Sequence, residues 1–256
     1  RVLFRSKDIE IMKKTALYVE SLRVKKIDVN MGCPMPKITK NGYGAALLSD
    51  PQHARELMFI LRESLKPETD LSMKIRVGYG EHKNPIYFAK LAEELKLCHI
   101  TVHGRTREQM YSGFANWETI KEIKESVSIP VIGNGDIFTA KDAIEKVEFS
   151  GVDGIMLARG IFGNPWLVGQ IRDAFNGKDI IEPSFDDKID LAIKHISYVK
   201  EDRPDKEFYY EIRKHLCWYI KGMKKAASIK DEINKTDSYD KLIELFERLR
   251  ELNKNN

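Results

Sequence analysis

Residues 27–36 read IDVNMGCPMP. An apolar run with strand character stops at Gly32, and Gly32 and Pro34 on either side of Cys33 make a turn, so the strand ends by holding the Cys33 thiol out over something. The same pattern recurs in SMKIRV (72–77), HITVHG (99–104), IPVIGNGD (129–136) and DGIMLARG (153–160), each a short apolar run rich in β-branched residues that closes on glycine or a polar side chain. Between these runs apolar residues return at three- and four-residue spacing, as in Ile9, Met12, Ala16, Val19 and again in Ala54, Leu57, Leu61, Leu65, which predicts helices. Asp50-Pro51, Asn84-Pro85 and Asn164-Pro165 each offer a capping side chain followed by a proline at the first helical position, and Thr139 is a further cap candidate.

Strand and helix in strict alternation, with nearly continuous apolar strands, mean a parallel sheet, either a closed barrel or an open doubly wound sheet. The polar residues decide between them. Asn30 and Cys33, Lys74 and Arg76, His103 and Arg105, Asn134 and Asp136, and Arg159 all fall at the C-terminal ends of successive strands. Five strands contributing at one end is the pattern of a TIM (β/α)8 barrel, whereas an open sheet gathers its ligands at one switch point. Five complete strands are legible, with Val2, Leu3 and Phe4 as the remnant of another, so the expectation is a barrel lacking its first two strands. From about Pro183 the alternation gives way to helical patterns only, near 187–199, 206–223 and 239–252. The expected domains are a barrel over 1–176 and a small all-helical domain over 184–256, joined by the polar stretch NGKDIIEPSFD.

The chain has 256 residues, 42% of them hydrophobic, enough for one large core with a small appendage. No apolar run approaches the length of a membrane span and the first twenty residues lack a signal peptide's apolar stretch, so a cytoplasmic protein is expected. Three cysteines, Cys33, Cys98 and Cys217, are scattered without CxxC spacing, which points to neither a disulfide framework nor a metal site. The net charge of +4 is uninformative, but its distribution is not. Between Ile212 and Lys230 stand Arg213, Lys214, Lys221, Lys224, Lys225 and Lys230 with no acidic residue among them and with Trp218 and Tyr219 interleaved. That is a local basic patch of the kind that meets nucleic acid.

A lysine within an apolar strand is costly unless an anion meets it. Alone, Lys74 reads as a snorkelling strand-end lysine and His103 as a structural histidine, but together at one rim they point to a shared anionic or polar ligand. IGNGD and LARGIFGNPW are glycine-rich strand ends preceding helices, where the last loops of a TIM barrel commonly hold a phosphate on backbone N–H groups, with Arg159 adding charge. Flavin mononucleotide fits these residues, and a sugar phosphate fits nearly as well. Cys98 and Cys217 read as core packing. Cys33 differs because its neighbours force exposure, and the segment after it, KITKNGYGAALL, is expected to act as a mobile loop.

Taken in order, IDVNMGCPMPKITKNGYGAALLSDP, MKIRVGY, ITVHGRTREQMYSGFANW, IPVIGNGDI, GIMLARGIFGNPWL and EIRKHLCWYIKG resemble the flavin-dependent tRNA-dihydrouridine synthases of the bacterial general type. The resemblance implies reduction of the C5–C6 double bond of particular tRNA uridines by FMN, itself reduced by NADPH, with Cys33 as the general acid that protonates C5. It implies flavin contacts at Lys74, His103, Asn134, Gly135, Asp136, Ala158, Arg159 and Gly160, uracil and RNA contacts at Asn30 and Arg105, and phosphate contacts at Arg213, Lys214, Lys221, Lys224 and Lys225. A monomer without metal is expected. The departure is at the start, where family members carry two more strands and RVLFRS, with Val2 in the position of a flavin-contacting glutamine, stands instead. Arg1 is not an initiator methionine, which reads as loss of an N-terminal piece with some non-native residues. Two other readings stay open: a flavin barrel acting on free pyrimidines or small enones, which would have no use for the basic helices, and an inactive RNA-binding fragment.

Overall fold

The computed structural model describes residues 2–4 and 6–253. Arg1, Arg5 and residues 254–256, and with them part of the expected non-native start and the end of the expected helical domain, lie outside the described residues. In chain order the elements are β1 (Val2–Phe4), α1 (Ile9–Ser21), β2 (Lys26–Met31), α2 (Pro36–Thr39), α3 (Pro51–Ser64), β3 (Asp70–Arg76), α4 (Pro85–Glu94), β4 (His99–His103), α5 (Trp117–Ser126), β5 (Val131–Asn134), α6 (Ala140–Ser150), β6 (Gly154–Met156), α7 (Leu167–Phe175), α8 (Phe185–Asp202), α9 (Asp205–Tyr219), α10 (Ala226–Lys235) and α11 (Tyr239–Asn253).

Every strand pairs in parallel with the next, in the order β1-β2-β3-β4-β5-β6. A doubly wound sheet reverses its order at a switch point; this one does not, and it is the progression of a (β/α) barrel. Register sorts the side chains onto two faces, because alternate residues of a strand point opposite ways. One face is apolar: Ile27, Val29 and Met31, Leu71, Met73 and Ile75, Ile100 and Val102, and Val131 are all fully buried. Helices lie against the sheet, α4 against β3 and β4 and α5 against β5, and bring Phe88, Ala92, Ile120 and Ile123 into the core. Phe88, Ile120 and Ile123 each contribute about 1.5–3 kcal/mol through burial.

The other face is polar along β2 to β4 and at Asn134 of β5. Asp28 pairs in register with Ser72, Asn30 with Lys74, Lys74 with Thr101, Arg76 with His103, and His103 with Asn134. Low on this face the Ser72 hydroxyl donates to Asp28 at 2.7 Å.

By internal packing the chain divides into two compact units, one running through Ile137 and including Lys141–Ala158, the other comprising Phe138–Ala140 and the chain from Arg159 onward. In the second, Ile189 and Ile196 of α8, Phe208 and Ile212 of α9, Ile229 and Ile233 of α10, and Leu242 and Phe246 of α11 form one core. Helix α10 is absent from the sequence reading. The capping expectation holds at Asp50, whose carboxylate accepts from His53 N, and at Asn84, which accepts from Tyr87 N. It fails at Asn164: Pro165 and Trp166 form a turn and α7 starts only at Leu167, with Trp166 as its uncapped first neighbour. Ser184 supplies an unforeseen cap to α8, in a reciprocal pair with Asp187.

Candidate functional site

Cys33 stands immediately beyond β2, half-buried, on a turn fixed from three sides. The Asn30 side chain accepts from Gly32 N at 2.9 Å, so the next-to-last residue of the strand shapes the turn after it. Behind the thiol, Ala45 N donates to the Cys33 carbonyl at 3.0 Å. The segment expected to be a mobile loop is instead packed: it forms α2 and a 3-10 helix over Gly44–Ser49, with Ala45, Leu47 and Leu48 buried. Three buried apolar side chains in four residues fold it onto the sheet.

The third restraint comes from β3. Arg76, almost fully buried, donates through Nε to the Gly32 carbonyl at 2.8 Å and through Nη1 to the carbonyls of Thr106 and Met110 at 2.8 and 3.0 Å. One guanidinium therefore ties the Cys33 turn to the loop that follows β4. Burial pushes its pKa down to about 10, opposed in part by Tyr111 and Cys33 nearby. Lys74, two residues earlier on the same face, brings its ammonium to the same turn: a Cβ built on Gly32 would lie 3.6 Å from Lys74 Nζ. Arg107 adds a second tie, donating to Thr39 Oγ1 at 3.4 Å and stacking over the Tyr79 ring at 5.7 Å.

On the next strands His103 and Asn134 pair in register, and the backbone closes directly onto the imidazole. Gly135, at φ +133, would with a Cβ meet Ala115 at 2.5 Å and His103 Cδ2 at 3.2 Å, so only glycine allows this approach. The Asn134 amide donates to the Met156 carbonyl at 2.7 Å. Asp136 accepts from Arg105 Nη2 at 2.8 Å and from Ala115 N at 2.7 Å, while Arg105 also donates to the carbonyls of Ser112 and Gly113. The Arg105 side chain is only 2% exposed; it and Asp136 form a buried pair that holds the loop 112–115. One barrel rim thus gathers Asn30, Cys33, Lys74, Arg76, His103, Asn134 and Gly135. Arg105 and Asp136, just past the ends of β4 and β5, tie the loops that follow those strands to each other.

Ala158 ends the first unit. In the second, Arg159 and Gly160 form a 3-10 turn, and the Arg159 guanidinium lies over the Phe138 ring at 5.8 Å. Of the basic patch, Lys214, Lys221, Lys224 and Lys225 are exposed, with Lys214 over the Tyr210 ring at 3.8 Å. Arg213 is half-buried, donates to the Thr236 carbonyl and stacks on Tyr209, an anchor within the helical unit. Cys98 and Cys217 are half-buried thiols whose pKa values burial raises, as packing residues. Among the described residues no helix is long and apolar enough to cross a membrane.

Arg76 and Arg107 are the residues that sequence reasoning undervalued. Their partners are backbone carbonyls and a threonine hydroxyl, which carry no motif.

Comparison with known proteins identifies the family of the chain. A family model described as dihydrouridine synthase matches residues 1–254. The "Probable tRNA-dihydrouridine synthase" of Rickettsia conorii is 35% identical over 250 residues, covering 95% of this chain and 75% of that protein. The "tRNA-dihydrouridine synthase B" of Pasteurella multocida is 34% identical over 243 residues, covering 93% of this chain and 72% of its own length. The match takes in the Cys33 turn, the polar rim and the helices alike, and the chain belongs to the dihydrouridine synthase family.

Proposed function

We propose that this chain reduces the C5–C6 double bond of uridines in tRNA, using FMN reduced by NADPH, with Cys33 as the general acid. It is an oxidoreductase of the dihydrouridine synthase family. The observation that carries the mechanism is the thiol held by Arg76 and Asn30 at a rim that also bears Lys74 and His103.

The donor set fits an anionic, phosphate-bearing flavin. Lys74, His103 and Asn134 bring an ammonium, an imidazole and an amide to one rim, Gly135 brings bare backbone beside them, and the carboxylate among them, Asp136, is already engaged by Arg105 and Ala115 N. With Ala158, Arg159 and Gly160 these residues would hold FMN, which when bound supplies the hydride for uracil C6. The rest is the chain's own chemistry. Asn30 meets the uracil, and Arg105 acts through the loop 112–115 that it holds. Cys33 gives its thiol proton to C5; the thiolate left behind is stabilised by the Lys74 and Arg76 cations until solvent returns the proton. A base inside a folded tRNA cannot reach a barrel rim without leaving its stack, so Lys214, Lys221, Lys224 and Lys225 hold phosphates while it is extruded, and Arg213, expected among them, is engaged within the helical unit by the Thr236 carbonyl and Tyr209. The working division is a catalytic barrel domain over 1–176 and a tRNA-binding domain over 184–256, acting as a monomer in the cytoplasm.

The test is incubation of the chain with FMN, NADPH and an unmodified tRNA transcript, followed by nucleoside mass spectrometry. Dihydrouridine is expected, and Cys33→Ala should slow its formation by about 10²–10⁴-fold while the flavin absorbance band and tRNA binding persist. Reduction of free uridine as fast as tRNA would favour a small-molecule reductase, and tRNA binding with no retained flavin would favour an RNA-binding fragment.

A further inference from the structure

The helical unit carries a recess of its own, about 380 Å³ in volume, walled by the turn Phe162–Asn164, the stretch from Glu182 to Phe185, Lys188 of α8, and Trp218 and Lys221 at the end of α9. A backbone contact sets its shape. Gly163 has φ +68, and a Cβ there would lie 2.5 Å from the carbonyl carbon of Trp218, so glycine alone lets this turn lie flat on the end of α9. That contact seats the Phe162 ring 5.5 Å from the Trp218 ring, tilted by 47°, and edge-on to His215 at 6.3 Å. Beneath them Tyr219 is buried and bonded through its hydroxyl to His195 Nδ1 at 3.3 Å. The aromatic pair is rigidly supported, yet Phe162 and Trp218 remain 40% and 41% exposed.

Exposed aromatics held this firmly call for a flat apolar ligand. The charges around them call for an anion: Lys188 and Lys221 line the recess, Lys221 Nζ lies 5.6 Å over the Trp218 ring, and Glu182 is the single carboxylate in the wall. An unpaired nucleotide satisfies both demands, whereas a bare phosphate leaves the rings unused and an apolar ligand leaves the lysines unused. Base-on-aromatic stacking beside mobile cations is the general way in which proteins hold unstacked bases, and the volume, at the small end of the ligand-pocket range of about 300–1,000 Å³, suits one nucleotide and not a duplex.

We propose that this recess binds one unstacked nucleotide of the tRNA other than the uridine being reduced, its base against Trp218 and Phe162 and its phosphate beside Lys188 and Lys221. The proposal rests on the tRNA-reductase reading above. It makes the helical unit a reader of an extruded base as well as a basic surface, with Glu182 available to accept from a base N–H.

The test titrates an unmodified tRNA transcript into the protein at several salt concentrations, following affinity and tryptophan emission, for wild type, Trp218→Leu, Trp218→Phe and the Lys188→Gln/Lys221→Gln pair. Trp218→Leu should weaken binding about tenfold with an unchanged salt slope. Trp218→Phe should stay within about threefold of wild type, since a ring is retained, but lose most of the emission quench seen on wild-type binding. The double lysine variant should reduce the salt slope by about two, one per cation. Should Trp218→Leu fail to fold, the quench lost in Trp218→Phe and the lysine slope still decide the matter. Wild-type tRNA binding with the same quench in Trp218→Phe, or with unchanged affinity in a folded Trp218→Leu, overturns the recess and leaves the reductase reading standing. No tRNA binding by wild type overturns both.

Discussion

Arg76 Nε donates to the carbonyl of Gly32 at 2.8 Å, one residue before the Cys33 thiol. The same guanidinium reaches the loop after β4 through Thr106 and Met110, so one buried cation on β3 sets the distance between the acid and the loop opposite it. A strand is a stiff base for such a restraint. The turn, with Gly32 at its centre, is not stiff by itself.

Replacing Arg76 tests the restraint. Arg76→Gln keeps a polar side chain of shorter reach and should slow single-turnover uridine reduction by about 10²-fold, the cost of a misplacement on the order of 1 Å. Flavin retention, read from the visible absorption band, should change little. Arg76→Lys should recover part of the rate, because an ammonium can satisfy one of the three carbonyls but not the fork. A variant that loses flavin and thermal stability together, with Lys no better than Gln, would make Arg76 a stability residue only.

The Arg105–Asp136 pair makes a different prediction. Asp136 has an exposed fraction of 15% for its side chain and Arg105 of 2%, so solvent screens their attraction weakly. Asp136→Ala would leave the guanidinium uncompensated and free the Ala115 amide, a loss of about 3–5 kcal/mol in denaturant unfolding. Replacing both residues with apolar ones of similar volume should recover much of it. If Asp136→Ala unfolds at the wild-type midpoint, the loop 112–115 is held by something else.

The exposed lysines between α9 and α10 predict an electrostatic effect alone. Lys224→Gln with Lys225→Gln should weaken tRNA binding most at low salt and reduce the slope of log affinity against log salt by up to about two, with flavin still bound. An unchanged slope would remove these two residues from the RNA surface.

What the sequence made legible follows from which interactions are local. Strands β2 to β6 announced themselves because an apolar run ended by glycine or a polar residue needs no distant partner to be recognised. Asp50 and Asn84 did so because a cap acts within three residues. Helix α10 did not: its buried stripe amounts to Ile229 and Ile233 in an otherwise polar stretch, and that stripe has meaning only against the core of α8, α9 and α11. The polar face of the sheet was visible at Lys74 and His103 but not at Asp28 or Ser72, whose mutual hydrogen bond joins two strands. The Cys33 turn was recognised, and its rigidity was missed, because Arg76 acts on carbonyls 30 to 44 positions away in the chain.

His195 gives the helical unit a pH dependence that can be signed. It is half-buried, its ring lies 5.0 Å from His215, and its Nδ1 is hydrogen-bonded with the Tyr219 hydroxyl at 3.3 Å. Burial, with His215 adding to it and Glu211 opposing it, lowers its pKa below the ordinary value of 6.5. Above that value neither the folded nor the unfolded chain protonates this residue and it contributes nothing. Below it the unfolded chain takes up a proton that the folded chain resists, so the unfolded state binds more protons and stability falls as pH falls. Thermal melts between pH 7.5 and 5.5 should therefore show a steeper loss for wild type than for His195→Gln, which cannot take up that proton in either state. Carboxylates elsewhere contribute equally to both proteins and cancel in the comparison. Parallel pH profiles would show that the His195 ring accepts its proton in the folded unit as readily as in the unfolded chain.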